Sequence, residues 1–582
     1  MRMKNKKKSI EKNIWKAFQI ALTVLTVLGI VKSLFVSLDI DESYAVAQAY
    51  RLVTGDKLIF DMWEPHQFSA FLPAILLFPF YKLFQTTDGC VLLLRILGTL
   101  IHLLIGSFLY KTAEADSSRK TAFILLVLHV NFLPKWITMP EFELMHYWCM
   151  ILIFLLLYRY EHAKGEHHVI AAAFVYIVSG LCYPTMVLLF PLYFIGILRL
   201  RRKKGAVYFT LFTLIPTAIF LTVLITGMGL DTFIDHIGYI VSDPSHASTG
   251  GAVKWRLLLS ECLGIVMSTG IALLASGVFT GILFFTGKKK KRKPVFYLTV
   301  LLSAASLLLS LRSLAGYLFL DENQFTTLCR YLPVAVLFLV IAIINRKETG
   351  KELFFGILPS LVSFPAVILV TNMGVNTAFT KLYPVVIFGL FMLGRLRRNR
   401  EEEKQKWQNA VLQVSVLSLL LCLFFCKIPL IRVTGCLPVT VKAPLKFVQS
   451  GPAKGIFVPE KPAAYWEESY DVLTQLIPKD ANVLYVGREQ LFYVSFCKRV
   501  CTPSVQGTTV FNEIYADYYE VFPEKKPEII VYDASFSEEA FYANPVNGVD
   551  LRDEWIREWM EENFAVEKTI EVGKYTLVFL EE

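Results

Sequence analysis

Six carboxylates, Asp39, Asp41, Glu42, Asp56, Asp61 and Glu64, crowd the stretch that follows directly on the first strongly apolar segment of this chain. A carboxylate at the boundary between water and hydrocarbon is partly desolvated, and its basicity is easily tuned. Such a group can take a proton from an attacking hydroxyl, and two or more of them can hold a divalent cation. Asp41 and Glu42 open the run DESYAVAQAYRLVTG, which has a helix-like interior and closes on Gly55, so Asp41 lies at or before a helix N-terminus. Two uses follow for Asp41, capping that helix or performing chemistry. Glu64 stands after Trp63 and before Pro65, His66 and Gln67, a second acidic point at the same mouth.

The elements that must position these groups are mostly built for lipid. Of 582 residues, 55% are hydrophobic, and the mean hydropathy is +0.50, which excludes an ordinary soluble protein of this size. Apolar segments fall at roughly 17–38, 89–110, 121–138, 142–158, 169–182, 184–198, 206–226, 257–286, 295–311, 326–344, 353–371, 380–394 and 408–427. That makes about thirteen transmembrane helices. With a cytoplasmic N-terminus, the cytoplasmic connections read YKTAEADSSRK, RYEHAKGEHH, RLRRKKG, GKKKKRKP, NRKETGKE and RLRRNREEEKQK, and every one carries Lys or Arg. The opposite connections are acidic or neutral, which is the loop bias that sets orientation. Two stretches strain this map. Residues 67–84 are apolar enough to span, but counting them inverts every later loop, so they read as an amphipathic or partly embedded helix at the outer surface. Residues 169–198 read as two short spans broken at Tyr183–Pro184.

The fold expected is a polytopic α-helical membrane protein with a small extracytoplasmic α/β domain. Residues 1–427 form the membrane domain, with 39–88 as its first outer loop, and residues 428–582 face water outside the plasma membrane. In that tail ANVLYVG and PEIIVYD read as strands, YWEESYDVLTQLI and DLRDEWIREWMEENF as helices, and KTIEVGKYTLVFLEE as a hairpin turning at Gly573. A net charge of +10 does not point to nucleic acid, because the positive residues sit in the short loops. Gly487 follows a strand-like run without a G-x-G-x-x-G pattern, so no nucleotide cofactor is expected, and nothing suggests a redox cofactor. The ten cysteines lack metal spacing, and the pair Cys497 and Cys501 reads either as a disulfide or as two free thiols.

The order of a first span, the loop DIDESYAVAQAYRLVTGDKLIFDMWEPHQ, a Pro-containing surface helix and the Arg-bearing second span LLLRILGTL resembles the GT-C class of membrane glycosyltransferases. The bacterial aminoarabinose transferases and the protein O-mannosyltransferases are the nearest types. The resemblance rests on Asp41-Glu42, Gly55-Asp56 and Trp63-Glu64-Pro65-His66, within the first ~110 residues. Where families of this class often carry Lys-Pro-Pro, this chain has Glu-Pro-His. The resemblance implies transfer of a sugar from a polyprenyl-phosphate carrier to an acceptor hydroxyl on a surface glycan, lipid or protein, with inversion, at the outer face of the membrane of a bacterial cell envelope.

On that reading Asp41 is the candidate base and Glu42 the fallback, while Glu64 and His66 contact substrate. Glu141, in TMPEFELMHYW beside Glu143, matches the acid that aminoarabinose-type enzymes place in the corresponding loop. The departing phosphate needs positive charge, from magnesium or manganese held by Asp41 and Glu64 or from protein cations. Arg330 and Lys381 stand where outer loops enter spans and are the candidates, against simple snorkelling toward the surface. Arg95 reads as a structural partner for an acid. The loop DTFIDHIGYIVSDPSHASTGG carries Asp235, His236, Asp243 and His246 at spacings that fit no common metal site, and reads as a gating loop. The alternative is a transporter or flippase of a lipid-linked substrate. Transporters need ionisable groups near mid-span, where only His102 and His129 stand out here.

Overall fold

The computed structural model describes residues 2–163, 165–200, 202–241, 251–286, 324–370, 375–398, 444–487, 489–506, 512–534 and 562–581, with 297, 300–302, 304–305, 307–309, 420, 430–432, 438–440 and 560. The helices α1 (Arg2–Phe35), α2 (Ile40–Thr54), α3 (Phe71–Phe84), α4 (Cys90–Asp116), α5 (Arg119–Asn131), α6 (Phe142–Ala163), α7 (His167–Cys182), α8 (Phe190–Arg199), α9 (Lys203–Met228), α10 (Leu230–Val241) and α11 (Gly251–Thr286) follow in order. Further helices run over Gln324–Ile344, Leu358–Val370 and Leu382–Arg398. Among the described residues eight helices are long and apolar enough to cross a membrane, and four shorter apolar ones accompany them. The chain is therefore a polytopic α-helical membrane protein with a small sheet-containing C-terminal unit. The expected span 408–427 lies, apart from residue 420, outside the described residues.

Burial separates the middle of the bundle from its rim. Over their most apolar stretches Phe142–Glu161 and Ala378–Arg398 are 83% buried, whereas Lys203–Met228 is 11% buried. On that last helix Val207, Leu214, Ile215 and Val223 stay exposed, and an aliphatic surface of this extent belongs against lipid. The stretch 67–84 forms a 3-10 turn, Gln67–Ala70, and then α3. It qualifies as a span by length and hydropathy. Pro73, Ala74 and Leu77 are its buried face, packed on α2, and Phe71, Ile75, Phe78, Leu83 and Phe84 remain exposed. Between α7 and α8 the chain breaks at the expected point: Tyr183 is extended (φ −141°, ψ 104°), and Pro184 opens a 3-10 turn.

Close packing sets the geometry around α4. A Cβ at Gly98 would stand 2.1 Å from the carbonyl oxygen of Thr138, so only glycine lets the 138–140 loop lie on this helix. One turn further along α4, His102 and His129 stack with centroids 4.2 Å apart. Each ring Nε2 hydrogen-bonds to the other residue's carbonyl oxygen, at 2.8 and 3.0 Å. Trp148 Nε1 donates to His102 Nδ1 at 2.7 Å. The two mid-span histidines are thus hydrogen-bonded across α4, α5 and α6, which is how buried polar groups are tolerated in an apolar bundle.

The C-terminal unit contains the antiparallel hairpin β3 (Leu445–Phe447) and β4 (Phe457–Pro459), after the short β1 (Leu430–Arg432) and β2 (Pro438–Thr440). A four-stranded sheet follows, built from β5 (Val483–Val486), β6 (Ile529–Asp533), β7 (Val566–Val572) and β8 (Tyr575–Leu580) in the order β5-β6-β8-β7. β5 and β6 are parallel, while β7 and β8 form the expected hairpin, with Gly573 at φ +60° in its turn. The helix Glu460–Leu476 covers the expected YWEESYDVLTQL; most of DLRDEWIREWMEENF lies outside the described residues. Cys497 and Cys501 are free thiols. This unit does not stand apart from the membrane part. Tyr44, Val46, Tyr50 and Val53 of α2 share one apolar cluster with Val483, Tyr485, Phe492 and Phe496. Continuous burial of this kind holds α2 in place from both sides.

Candidate active site

Helix α2 starts at Ile40 because Asp39, extended at φ −99° and ψ 150°, accepts the Asp41 N–H on its Oδ1 at 3.1 Å. The cap is therefore Asp39, not Asp41. Gly55 closes the helix in the left-handed region, at φ +117°. Relieved of capping, the Asp41 side chain stands in the first turn, 26% exposed, and forms an ion pair with Lys135.

The other acids of the opening stretch have different partners. Glu42 turns inward and is 1% exposed. Arg95 donates to its two oxygens at 2.6 and 2.5 Å, and also to the carbonyl oxygens of Leu34 and Ser37 at 2.9 and 2.6 Å. This bidentate pair ties the end of α1 and the start of α2 to α4. Arg95 thus has the acid partner its position suggested. Glu64 is fully buried: Arg51 Nη1 donates to Oε1 at 3.2 Å, and Ser504 Oγ and Val505 N donate to Oε2 at 3.0 Å each. Burial pushes its carboxyl above the ordinary value in spite of the Arg51 charge. Arg51, itself buried, also donates to Asp56 Oδ2 at 2.6 Å and to the carbonyl oxygens of Asp61 and Pro503 at 2.6 and 3.2 Å. Lys525 Nζ completes the cluster at 2.7 Å from Asp61 Oδ1.

A second group of charges gathers around Asp41 from distant parts of the chain. Lys135 lies in a tight turn after α5, where Lys135 and Trp136 both take positive φ, 50° and 61°. Glu141, fully buried, caps α6 by accepting the N–H groups of Glu143 and Leu144 at 2.8 and 2.7 Å. Burial, then the neighbouring Glu143 charge, push its carboxyl up to about 7, against Lys135 and the two N–H groups. Glu143 accepts a hydrogen bond from Tyr183 Oη at 3.1 Å. Lys381 Nζ sits 4.0 Å from the centre of the Tyr183 ring and is 2% exposed. It ends a 3-10 segment, Val375–Lys381, whose first N–H is held by Glu261 Oε2 at 2.5 Å. His66, at φ 62°, stacks on Phe142 with centroids 4.0 Å apart, and Phe142 lies 5.5 Å from Tyr183. His146 meets the same tyrosine at 5.3 Å and hydrogen-bonds Ser179 through Nδ1.

Asp41, His66, Glu141 and Lys381 therefore converge around Phe142 and Tyr183, while Glu42 and Glu64 face other partners. Arg330 belongs to the helix Gln324–Ile344, and its side chain lies outside the described residues. Lys135 and Tyr183 are the members that sequence reasoning missed. Reading 121–138 as one span put Lys135 inside lipid, although α5 ends at Asn131 and Pro134 was the available sign of that stop. The loop that begins at Asp231 is helical as far as Val241. There His236 Nδ1 hydrogen-bonds with the Ile59 carbonyl oxygen at 3.0 Å, and Tyr239 stacks on Trp63 at 4.4 Å. Asp243 and His246 lie outside the described residues.

The two candidate metal ligands are already charge-compensated, Asp41 by Lys135 and Glu64 by Arg51. This donor set does not fit a divalent cation, and among the described residues no group of three or more His, Cys, Asp or Glu is placed to hold one. The arrangement can accept a proton at Asp41, exchange one near neutral pH at Glu141, and set two ammonium groups against an anion.

No protein-family model matches this chain, and no curated protein matches it. Among solved structures the chain is similar to ArnT from Cupriavidus metallidurans in the apo state, at 13% identity over 98% of each chain with a TM-score of 0.40. It is similar to the Archaeoglobus fulgidus oligosaccharyltransferase in complex with Zn and sulfate, at 12% identity over 94% of this chain and 71% of that one, TM-score 0.41. ArnT bound to undecaprenyl phosphate gives 13% identity over 97% of each chain and a TM-score of 0.35.

Proposed function

We propose that this chain is an inverting glycosyltransferase that moves a sugar from a polyprenyl-phosphate carrier to an acceptor hydroxyl at the outer face of the plasma membrane. The observation that carries the reading is the pairing of Asp41 with a partly exposed lysine, while Asp39 takes the cap and the Glu42 oxygens are both held by Arg95. A carboxylate so placed can take the acceptor hydroxyl proton as its oxygen attacks the anomeric carbon. The bond from that carbon to the phosphate oxygen then breaks, and the polyprenyl phosphate leaves with one more negative charge than it had as a diester. Lys135 and Lys381 face that charge, and fixed cations favour a state in which it develops. Apolar helices around this mouth suit an isoprenoid chain, and the C-terminal unit, outside the membrane, covers α2 on the acceptor side.

The test is transfer by purified protein supplied with a polyprenyl-phosphate sugar and a panel of surface-glycan acceptors. Asp41→Asn should lower the rate by ~10²–10⁴-fold, the range for loss of a positioned base. Unchanged turnover would overturn the assignment of Asp41. Accumulation of the lipid-linked substrate in sealed vesicles without a new glycosidic bond would establish the transport reading instead.

A further inference from the structure

The ion pair that identifies Asp41 also blocks it. A base held by an ammonium cannot turn to an acceptor hydroxyl until that ammonium has another anion to face. Lys135 and Lys381 are not equivalent in this respect. Lys381 is 2% exposed and seated on the Tyr183 ring, within electrostatic reach of Glu143, Glu141 and Lys135. Lys135 is on a turn, its side chain is 19% exposed, and its nearest ring, Phe142, is 5.4 Å away. One cation is a fixed seat and the other can swing.

Local backbone geometry supports a dedicated role for that turn. Two successive non-glycine residues, Lys135 and Trp136, adopt left-handed φ, which costs conformational energy and persists only where the surroundings impose it. Here the turn is closed by the Ile137 N–H donating to the Pro134 carbonyl oxygen at 3.0 Å, and Lys32 Nζ lies 4.7 Å from the centre of the Trp136 ring. The result is an ammonium set against the first turn of α2. Near Lys381, the buried Thr380 Oγ1 and His146 Nε2 have no hydrogen-bond partner among the described residues, and such groups leave room for a hydrogen-bonding ligand or an ordered water.

Resting on the reading given under Proposed function, we propose that Lys135 is a charge-handover residue. In the empty site it neutralises Asp41; a lipid phosphate seated against Lys381 draws Lys135 onto itself and releases the carboxylate for the acceptor. Donor binding thereby precedes and enables activation of the acceptor. The coupling has a thermodynamic counterpart, because a partner that must be taken from Asp41 weakens the phosphate's hold by the same factor by which the phosphate frees Asp41.

The experiment measures binding of farnesyl phosphate, a short polyprenyl phosphate, to the full-length protein in nanodiscs, with farnesol and inorganic phosphate alongside. Lys135→Met should weaken farnesyl phosphate binding by ~10-fold, and Asp41→Asn, which slows transfer, should tighten it by ~10-fold, within the usual range of coupling between sites. In the Lys135→Met background the gain from Asp41→Asn should shrink to less than about 3-fold, the signature of a shared partner. Lys135→Arg should bind close to wild type. Inorganic phosphate should follow the same order more weakly, and farnesol should not distinguish the variants. An equal gain from Asp41→Asn in both backgrounds, or no gain, would overturn the handover while leaving the donor class intact. A wild-type protein that does not bind farnesyl phosphate would overturn the donor class as well.

Discussion

At the scale of single residues, burial and partner choice sort acids that look alike in the chain. Glu42 and Asp41 are adjacent, yet one is locked by a guanidinium and the other meets an ammonium at the surface, because successive helical positions point about 100° apart. Glu141 shows the same sorting through proton affinity. Its carboxyl is pushed up from the ordinary 4.5 to about 7, by burial first and the neighbouring Glu143 charge second. For an acid raised on folding, the ionised form is the unfavourable one. Its cost is absent below the ordinary value, grows as pH rises through the interval, and is complete above about 7. Wild-type protein in detergent should thus melt progressively lower from pH 5 to pH 8, whereas Glu141→Gln should lack that part of the decline. Parallel melting curves for the two proteins across this range would refute the assignment.

At the scale of elements, α2 is the piece everything else positions. Its two ends were legible because the signals are local: an acidic start, apolar spacing and a closing glycine within fifteen residues. Its fastening was not legible, since Arg51 donates to Pro503 and its partner Glu64 accepts from Ser504, 440 residues further along. No periodicity in the opening stretch reports a partner at that distance. The fastening makes a sharp prediction. Arg51→Met leaves Glu64 buried without its cation and Asp56 with only Lys525, at 3.9 Å, and breaking one side of a buried pair costs about 3–5 kcal/mol. Hydrogen exchange should then rise together in residues 56–64 and 500–506, which the cluster joins. Protection unchanged in either segment would mean that the cluster does not dock the C-terminal unit.

At the scale of the whole molecule, we propose from the Lys/Arg bias of the short loops that the C-terminal unit lies outside the cell, and this is open to direct measurement. Single cysteines at Lys498 and Lys347, both exposed, would be introduced after accessible native thiols are replaced. A membrane-impermeant maleimide should label position 498 in intact cells, and position 347 only after permeabilisation. Labelling of 347 from outside would invert the topology. Membrane character, the positions of most of the described helices, the break at Tyr183–Pro184 and the closing hairpin were readable from the chain, because each follows from composition or from residues within a few turns of one another. The grouping of Asp41 with Lys135, Glu141, Tyr183 and Lys381, and the shared core of α2 with the C-terminal sheet, were decided only by tertiary packing. Contacts between remote segments depend on which helix faces meet, and hydrophobic burial, being non-directional, does not write that choice into any local pattern.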